Sequence, residues 1–173
     1  MDLGLQGKVA LVAGASRGLG KAVAQALAAE GARLALAARD AQTLETTARE
    51  IQARYGSEVL HRSTDVTREE DVFSWVRAAK ERFGRIDVLV ANAGGPPASR
   101  FETTEISDWK KGIELSLMST ILLCRAVVPA MKERRSGRIV AITSISVKQP
   151  VDGLILSNTA RAGVVGLMKT LAN

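Results

Sequence analysis

Short, mostly apolar runs alternate along the chain with longer segments in which apolar residues recur every three to four positions. Five of the runs have the length of a strand, and they occupy positions 8–13, 33–38, 59–63, 86–91 and 138–143. Runs of this kind are typical of strands that are buried on both faces of a sheet. The segments between them have helical spacing, so the pattern predicts strands and helices in regular alternation.

Six helices are predicted from the spacing and from residues that start or stop a helix. They run from Leu19 to Gly31, from Asp40 to about Tyr55, from Thr67 to Phe83, over 104–112, over 115–134, and from 154 to the end. Gly31 is placed to cap a helix C-terminus and Asp40 to cap an N-terminus. Thr67 and Glu70 have the spacing of a capping box, in which each side chain bonds the other residue's backbone N–H.

Alternating strands and helices indicate a parallel sheet built from right-handed βαβ units. The sequence therefore predicts a single Rossmann-type α/β domain that spans residues 1–173. Gly94-Gly95-Pro96-Pro97 is the one strong breaker cluster, and it follows the end of a predicted strand. Ligand-binding loops occupy such positions in sheets of this type.

Composition narrows the class of protein and its partners. Hydrophobic residues make up 46% of the chain, enough for one buried core, and the net charge of +6 is spread without a long basic block. Aromatic residues are only 3%, so the aromatic-lined basic surface of a single-strand-binding protein is not expected. The sequence predicts a soluble protein without a nucleic-acid partner. No cluster of Cys, His or carboxylate residues has metal-ligand spacing, so no metal is expected.

Three observations predict a cytoplasmic location. The single cysteine, Cys124, cannot form an internal disulfide, which is typical of a reducing compartment. Asp2 and the lack of a basic run before the first apolar segment argue against a secretion signal. The longest apolar run, at 117–124, is far below the roughly 18 residues of a membrane-spanning helix, and no membrane association is expected.

A glycine-rich turn follows the first predicted strand, with the sequence Gly-Ala-Ser-Arg-Gly-Leu-Gly at 14–20. Glycine lets the backbone turn tightly and approach a pyrophosphate, whose charge meets the free N–H groups at the start of a helix. Strand, turn, helix and second strand are present in order, which favours a dinucleotide site over a purely structural turn. The candidate contacts are Gly14, Ser16, Arg17, Gly18, Leu19 and Gly20.

Two arginines indicate which dinucleotide binds. An NAD-binding domain usually places an acid about twenty residues past the glycine motif, on the ribose 2′-hydroxyl. Here that position is Ala38, and Arg39 follows it. A guanidinium suits the 2′-phosphate of NADP by charge and geometry, and Arg17 is a second candidate contact. Asp40 could reach a ribose instead, although helix capping also explains it; NADP(H) is therefore favoured and NAD(H) is the alternative.

These motifs together resemble the short-chain dehydrogenase/reductases, in particular their 3-oxoacyl-carrier-protein reductase-like members. The turn is similar to the family's Thr-Gly-x-x-x-Gly-x-Gly, with Ala13 in place of the threonine. The family's adenine-binding pair, its Asn-Asn-Ala-Gly and its strand ending in the catalytic serine fall on Asp65-Val66, on Ala91-Asn92-Ala93-Gly94 and on 137–144. The resemblance implies a three-layer sandwich with strand order 3-2-1-4-5, cofactor contacts at Asp65, Val66, Asn92, Ala93 and Gly94, and a catalytic role for Ser144.

The departures from the family pattern lie in its chemistry. The family's Tyr-x-x-x-Lys begins thirteen residues after the serine, where this chain has Ser157-Asn158-Thr159-Ala160-Arg161. The only tyrosine, Tyr55, lies on the second predicted helix, and the family's helix asparagine falls on Ser116. A branch of the family is similar here, with Ser-Asn-x-x-Arg. The resemblance thus assigns the remaining catalytic positions to Ser157 and Arg161.

Two functions fit this pattern. In the first, the protein is an NADP(H)-dependent oxidoreductase for a carbonyl or alcohol substrate. Ser144 then orients the carbonyl, Arg161 holds the nicotinamide ribose, and Ser157 or a water relays the proton. In the second, the protein binds the nucleotide without redox chemistry, as a sensor or as the partner of an active relative. A flavodoxin-like protein is disfavoured by the long glycine turn.

The resemblance also implies an oligomeric state and a longer C-terminal part than this chain has. The helix over 115–134 carries more apolar residues than the single stripe that covers a sheet, and the corresponding helix of the family contributes to a subunit contact, so a homo-oligomer is expected. Members of the family continue beyond the last helix with two more strands and a substrate-binding loop. Their absence would leave the fifth strand as an apolar edge, which soluble proteins avoid, and the chain is therefore expected to be incomplete at its C-terminus.

Overall fold

A computed structural model describes residues 3–173. Asp2, on which the expectation about a secretion signal rested, lies outside the described residues. Five parallel strands form one sheet with the order β3-β2-β1-β4-β5. They are β1 (Val9–Ala13), β2 (Arg33–Ala38), β3 (Val59–Ser63), β4 (Val88–Ala91) and β5 (Arg138–Ala141). The strand order and the parallel pairing confirm the predicted Rossmann-type fold.

The described residues also contain six helices, most of which pack on the two faces of the sheet. They are α1 (Gly18–Ala29), α2 (Ala41–Tyr55), α3 (Glu69–Phe83), α4 (Ile106–Ile113), α5 (Ser119–Glu133) and α6 (Ile155–Leu171), with short 3₁₀ turns at Phe101–Thr103 and Ile145–Val147. A hydrophobic core lies on each face of the sheet, and the central strand β1 contributes to both because its successive side chains point to opposite faces. Leu11 packs with Trp75 of α3 in one core, and Val12 packs with Leu44 of α2 in the other.

The sequence prediction for the start of α3 is wrong. No side chain caps this helix, and its N-cap residue is Arg68. The hydroxyl of Thr67 donates instead to Oδ1 of Asp65 at 2.8 Å, and the backbone N–H of Thr67 donates to the same oxygen at 3.0 Å. A local turn around an aspartate competes with the capping box for the same threonine. Asp71, rather than Glu70, reaches back and accepts from the backbone N–H of Asp65.

The helices predicted over 104–112 and 115–134 are joined in the structure. A π-helical turn, Glu114–Met118, connects α4 to α5 without a break. The combined stretch 106–133 is the one helix in the described chain that is long and apolar enough to cross a membrane, with a mean hydropathy of 1.6. The sequence prediction considered only the unbroken apolar run at 117–124 and therefore did not detect this longer stretch. Leu123 and Val127 of this stretch are buried in the core beside the sheet, and core helices of soluble proteins also meet this criterion.

The far side of the sheet ends at β5, which pairs with β4 alone. Val140 of this edge strand is 53% exposed, in agreement with the expectation of an apolar edge. Cys124 lies in the core on α5, and burial raises the pKa of its thiol to about 11. The thiol is therefore protonated and unreactive at neutral pH.

Candidate active site

The carboxyl ends of the strands open into a cleft of about 300 Å³. Most of its lining residues lie at or just after the ends of β1, β2, β3 and β4, and Thr43 of α2 and Leu115 of the turn after α4 complete it. The residues at the strand ends are Gly14, Ser16, Arg17, Ala38, Arg39, Asp40, Thr64, Asp65, Val66, Asn92, Ala93 and Gly94. Nine of the twelve residues predicted for cofactor binding therefore line one cleft. The other three, Gly18, Leu19 and Gly20, form the first turn of α1.

Glycine is required at two positions of the turn before α1. Gly14 has φ +62°, and a Cβ there would lie 2.6 Å from Nδ2 of Asn92. A Cβ on Gly20 would overlap the carbonyl of Gly14 and lie 2.9 Å from the same amide. The N-cap residue of α1, Arg17, forms no side-chain cap. The first N–H groups of α1 are therefore left for an anion, together with the positive end of the helix.

Asn92 ties the end of β4 to the glycine turn. Its side-chain Nδ2 donates to the carbonyl of Ala13 at 3.2 Å and to that of Gly14 at 3.4 Å. These bonds join segments that lie 79 and 78 residues apart. The amide therefore holds the floor of the cleft in place, and the close approach explains why neither Gly14 nor Gly20 has room for a side chain.

The charged rim of the cleft lies where β2 ends. Arg39, Arg17 and Asp40 all line the cleft there. The carboxylate of Asp40 caps α2 as the sequence predicted: Oδ1 accepts from the backbone N–H of Thr43 at 3.0 Å and Oδ2 from the Thr43 hydroxyl at 2.9 Å. These hydrogen bonds, with a smaller contribution from the charge of Arg17, lower the pKa of Asp40.

Asp65 and Val66 form the next part of the wall, after β3. Burial acts to raise the pKa of Asp65, but the hydrogen bonds from Thr67 and the positive charge of Arg39 outweigh it and lower the pKa overall. Asp65 therefore presents a charged carboxylate to the cleft across a wide pH range. Val66 is buried and contributes to the core on the α3 side.

The residues predicted to be catalytic follow β5 and start α6. Ser144 caps the 3₁₀ turn Ile145–Val147, and its Oγ accepts from the backbone N–H of Ser146 at 3.1 Å. Ser157 is buried in the first turn of α6. Arg161 lies one turn further on, and its Nη1 donates to the carbonyl of Ile142 at 3.0 Å. Arg161 is thereby anchored to the end of β5.

A small void of about 10 Å³ brings Arg161 together with Ser116 of the π-helical turn and with Gly94 and Thr143. Burial lowers the pKa of the Arg161 guanidinium. Within residues 3–173, no carboxylate lies at ion-pair distance from this guanidinium. The hydroxyl of Ser116 is buried and lacks a hydrogen-bond partner in the described chain. In the described chain, the Arg161 guanidinium, which has no carboxylate partner, and the Ser116 hydroxyl, which has no hydrogen-bond partner, therefore line the same void beside the cleft.

Sequence reasoning missed Thr43, Thr64 and Leu115 as cleft residues. The signal for Thr43 was present in the pattern Asp-x-x-Thr, since the third residue after a capping aspartate offers its backbone N–H and its hydroxyl together. Thr64 and Leu115 gave no such signal. They line the cleft because β3 ends and the π-helical turn begins beside it.

A family model described as short chain dehydrogenase matches residues 8–173. The chain belongs to this family. An uncharacterised oxidoreductase of Staphylococcus saprophyticus is 36% identical over 172 residues, which covers 97% of this chain and 74% of the relative. The 3-oxoacyl-[acyl-carrier-protein] reductase of Synechocystis is 37% identical over 169 residues, covering 97% and 68%.

Solved structures of short-chain dehydrogenases have the same fold. L-sorbose reductase from Gluconobacter frateurii, complexed with NADPH and L-sorbose, superimposes with a TM-score of 0.96 at 35% identity and covers 99% of this chain. An NADPH-bound oxidoreductase from Pseudomonas aeruginosa that contains an atypical catalytic centre has a TM-score of 0.91 at 31% identity, over 95% of this chain. The chain spans 65% of each of these two structures.

Proposed function

We propose that this chain forms the cofactor-binding and catalytic core of an NADP(H)-dependent oxidoreductase that interconverts carbonyl and alcohol groups. The observation that carries the proposal is the position of Arg17 and Arg39 in one cleft with the uncapped start of α1. Two guanidinium groups and free backbone N–H groups suit the 2′-phosphate and the pyrophosphate of NADP. The NADPH complexes of two relatives support this assignment.

The residues present fit a dinucleotide. A Cβ at Gly14 or Gly20 would collide with the Asn92 amide or the Gly14 carbonyl, so glycine lets the turn pack tightly against the end of β4. The start of α1, which has no side-chain cap, then offers its free N–H groups to a pyrophosphate. We assign the cofactor contacts to the residues predicted from the sequence, which are Gly14, Ser16, Arg17, Gly18, Leu19, Gly20, Arg39, Asp65, Val66, Asn92, Ala93 and Gly94. Asp65, held ionised, would accept from the adenine amino group.

The catalytic assignment concerns three side chains of this chain. When bound, the nicotinamide supplies or accepts the hydride. Ser144 would donate a hydrogen bond to the carbonyl oxygen, since its hydroxyl is free to donate while its oxygen accepts from Ser146. Arg161, anchored on the carbonyl of Ile142, would bind the nicotinamide ribose through its remaining N–H groups. Ser157, or a water beside it, would deliver the proton to the carbonyl oxygen, while the carbonyl carbon accepts the hydride.

A second candidate function is nucleotide binding without catalysis, as a sensor or as the partner of an active relative. The observation that favours it is the burial of Ser157, 9% exposed, at the position of the family's proton-donating tyrosine. An aliphatic hydroxyl is a much weaker acid than a phenol, and this one has little access to a substrate. The two candidates share every cofactor contact and differ only in turnover.

A binding titration and a turnover assay separate these possibilities. NADPH binding is followed by nucleotide fluorescence, and NADPH oxidation by absorbance with panels of aldehydes, ketones and ketoses. We expect tight NADPH binding and slow but enzyme-dependent oxidation, which Ser144→Ala abolishes without weakening binding. Binding without any turnover would select the second candidate, and absence of NADPH binding would contradict both.

A further inference from the structure

Asp40 follows Arg39 in the chain and bears on the choice between NADP(H) and NAD(H), an inference that rests on the proposed function. Asp40 lines the same cleft as Arg17 and Arg39. A carboxylate at this place would repel a 2′-phosphate and would accept a hydrogen bond from the 2′-hydroxyl of NAD. Its presence alone would therefore weaken a preference for NADP(H).

The hydrogen bonds of Asp40 determine where that carboxylate is directed. Both of its oxygens are bonded to Thr43, Oδ1 by the backbone N–H and Oδ2 by the hydroxyl. Turning the carboxylate toward the cleft would break these bonds. The hydroxyl of Thr43 occupies Oδ2, the oxygen that could otherwise accept a hydrogen bond from a ribose. The backbone bond is the ordinary cap of α2, whereas the hydroxyl bond depends on the side chain at position 43.

We propose that Thr43 is a specificity-determining positioning residue: its hydroxyl holds the Asp40 carboxylate on the end of α2 and so keeps the cleft selective for NADP(H) over NAD(H). Thr43 acts through Asp40. Without this hydroxyl, Asp40 can turn toward Arg17, whose charge already acts on it, and neutralise part of the phosphate site. The same movement brings an acceptor to the ribose hydroxyl of NAD.

The test compares affinities for NADPH and NADH by fluorescence titration of the intact chain. Thr43→Val removes the hydroxyl and keeps the shape of the side chain and the backbone N–H of residue 43, so that one of the two bonds that hold Asp40 is lost. It should reduce the NADPH-to-NADH affinity ratio by roughly three- to tenfold, the effect of one hydrogen bond. Thr43→Ser keeps the hydroxyl and should leave the ratio within about twofold of the parent. The matched control is Thr46→Val, because Thr46 lies on the same helix and its hydroxyl donates only to the carbonyl of Gln42.

A second background shows whether Thr43 acts through Asp40. Asp40→Asn removes the charge, and asparagine remains a good N-cap. In this background Thr43→Val should leave the affinity ratio unchanged. An equal fall in both backgrounds would mean that Thr43 contacts the cofactor directly and would overturn the proposal, as would an unchanged ratio in Thr43→Val alone. Since the readout is a binding ratio, it does not depend on turnover; failure of the parent to bind NADPH at all would count against the proposed function instead.

Discussion

The carboxylate of Asp87, the residue before β4, accepts a hydrogen bond from the backbone N–H of Val9 at 2.9 Å, across 78 residues of sequence. It also bonds the guanidinium groups of Arg85 and of Arg134 at the end of α5, at 2.8 and 3.0 Å. Burial acts to raise the pKa of Asp87, but these three donors outweigh it and lower the pKa to about 2. One side chain therefore joins two central strands to the helix that covers them.

The first prediction concerns the stability that this cluster contributes. Asp87→Asn leaves two arginines without their partner and should lower the free energy of unfolding by about 2–3 kcal/mol. Urea denaturation followed by circular dichroism measures this loss. The matched control is Asp108→Asn, whose exposed pair with Lys111 at 3.5 Å should contribute less than about 1 kcal/mol. Equal effects from the two substitutions would contradict the assigned role of Asp87.

The pH dependence of stability follows from the same residue. The pKa of Asp87 is lower in the folded state, about 2, than its ordinary value of 3.8. Its contribution is therefore fully present above the ordinary value and is lost as the pH falls through this window, by about 2 kcal/mol. The difference in unfolding free energy between the parent and Asp87→Asn should shrink as the pH is lowered from 5 toward roughly 2. A difference that stays constant over that interval would be inconsistent with a charged Asp87.

The second prediction concerns Arg39. Arg39→Ala should cost about 1.5–3 kcal/mol of NADPH affinity, the scale of a hydrogen bond to a charged group, and should leave NADH affinity little changed. Fluorescence titration with both nucleotides measures the effect. Arg49→Ala is the control, since Arg49 pairs with Glu45 on α2 and does not line the cleft. Equal losses for NADPH and NADH would show that Arg39 does not contact the 2′-phosphate.

The third prediction compares two glycines of the helices. A methyl group on Gly20 would overlap the carbonyl of Gly14, so Gly20→Ala should abolish NADPH binding and lower the melting temperature. At Gly166 of α6 the Cβ would meet nothing within 4 Å. Gly166→Ala should therefore stabilise the fold by about 0.5–1 kcal/mol through helix propensity. Calorimetry and nucleotide titration of both variants check the contrast, and NADPH binding by Gly20→Ala would contradict the requirement for glycine at this position.

Part of the fold and of the cleft could be predicted from the sequence. The bounds of β2 and β3 agree with the prediction. For β2 the reason is the continuous apolar pattern of a buried strand, whereas β3 is an edge strand whose last three residues are exposed. The glycine turn and the residues after each strand could be located because the parallel topology brings all the carboxyl ends to one edge. Side-chain partners could not be located in the same way. Thr67 had two competing acceptors, and only the tertiary structure decided for Asp65.

The region proposed to be catalytic shows the same limit. Motif spacing predicts Ser144, Ser157 and Arg161 as catalytic positions, but it could not show that Arg161 bonds the carbonyl of Ile142. Nor could it show that α4 and α5 join through a π-helical turn containing Ser116. Both features depend on how α6 packs against the end of β5 and against that turn, and no periodicity in the chain records this packing.

The fourth prediction is self-association through the long helical stretch. Much of the apolar face of α5 is buried, whereas Ile113 and Met118 are 37% and 40% exposed at the joint with α4. Apolar residues exposed on a helix that already covers a sheet favour a contact with a second copy. Light scattering at micromolar concentration should show an oligomer that Met118→Lys weakens. Phe73→Lys, at a residue of α3 that is 40% exposed, is the control; a parent that is only monomeric would contradict the prediction.

The fifth prediction concerns the proton. Hydride transfer to a ketone leaves an alkoxide that needs a proton from a positioned acid. Ser157 is a weak acid and is buried. Arg161 cannot pass a proton along at neutral pH, since a guanidinium stays protonated in proteins, even where burial lowers its pKa. Loss of general acid catalysis typically costs a factor of about 10²–10⁴, so oxidation of NADPH by simple ketones should be slow while NADPH binding stays intact.

Restoring the acid tests this explanation. Ser157→Tyr with Arg161→Lys places a phenol beside an ammonium group, which lowers a phenolic pKa from about 10. This double variant should oxidise NADPH with simple ketones at least about tenfold faster than the parent. Ser157→Phe with Arg161→Lys is the control, because the ring fills the same buried space without a hydroxyl and should gain nothing. If the parent already reaches a turnover near the enzyme median of about 10 per second, another group supplies the proton and the assignment of Ser157 as the weak point is wrong.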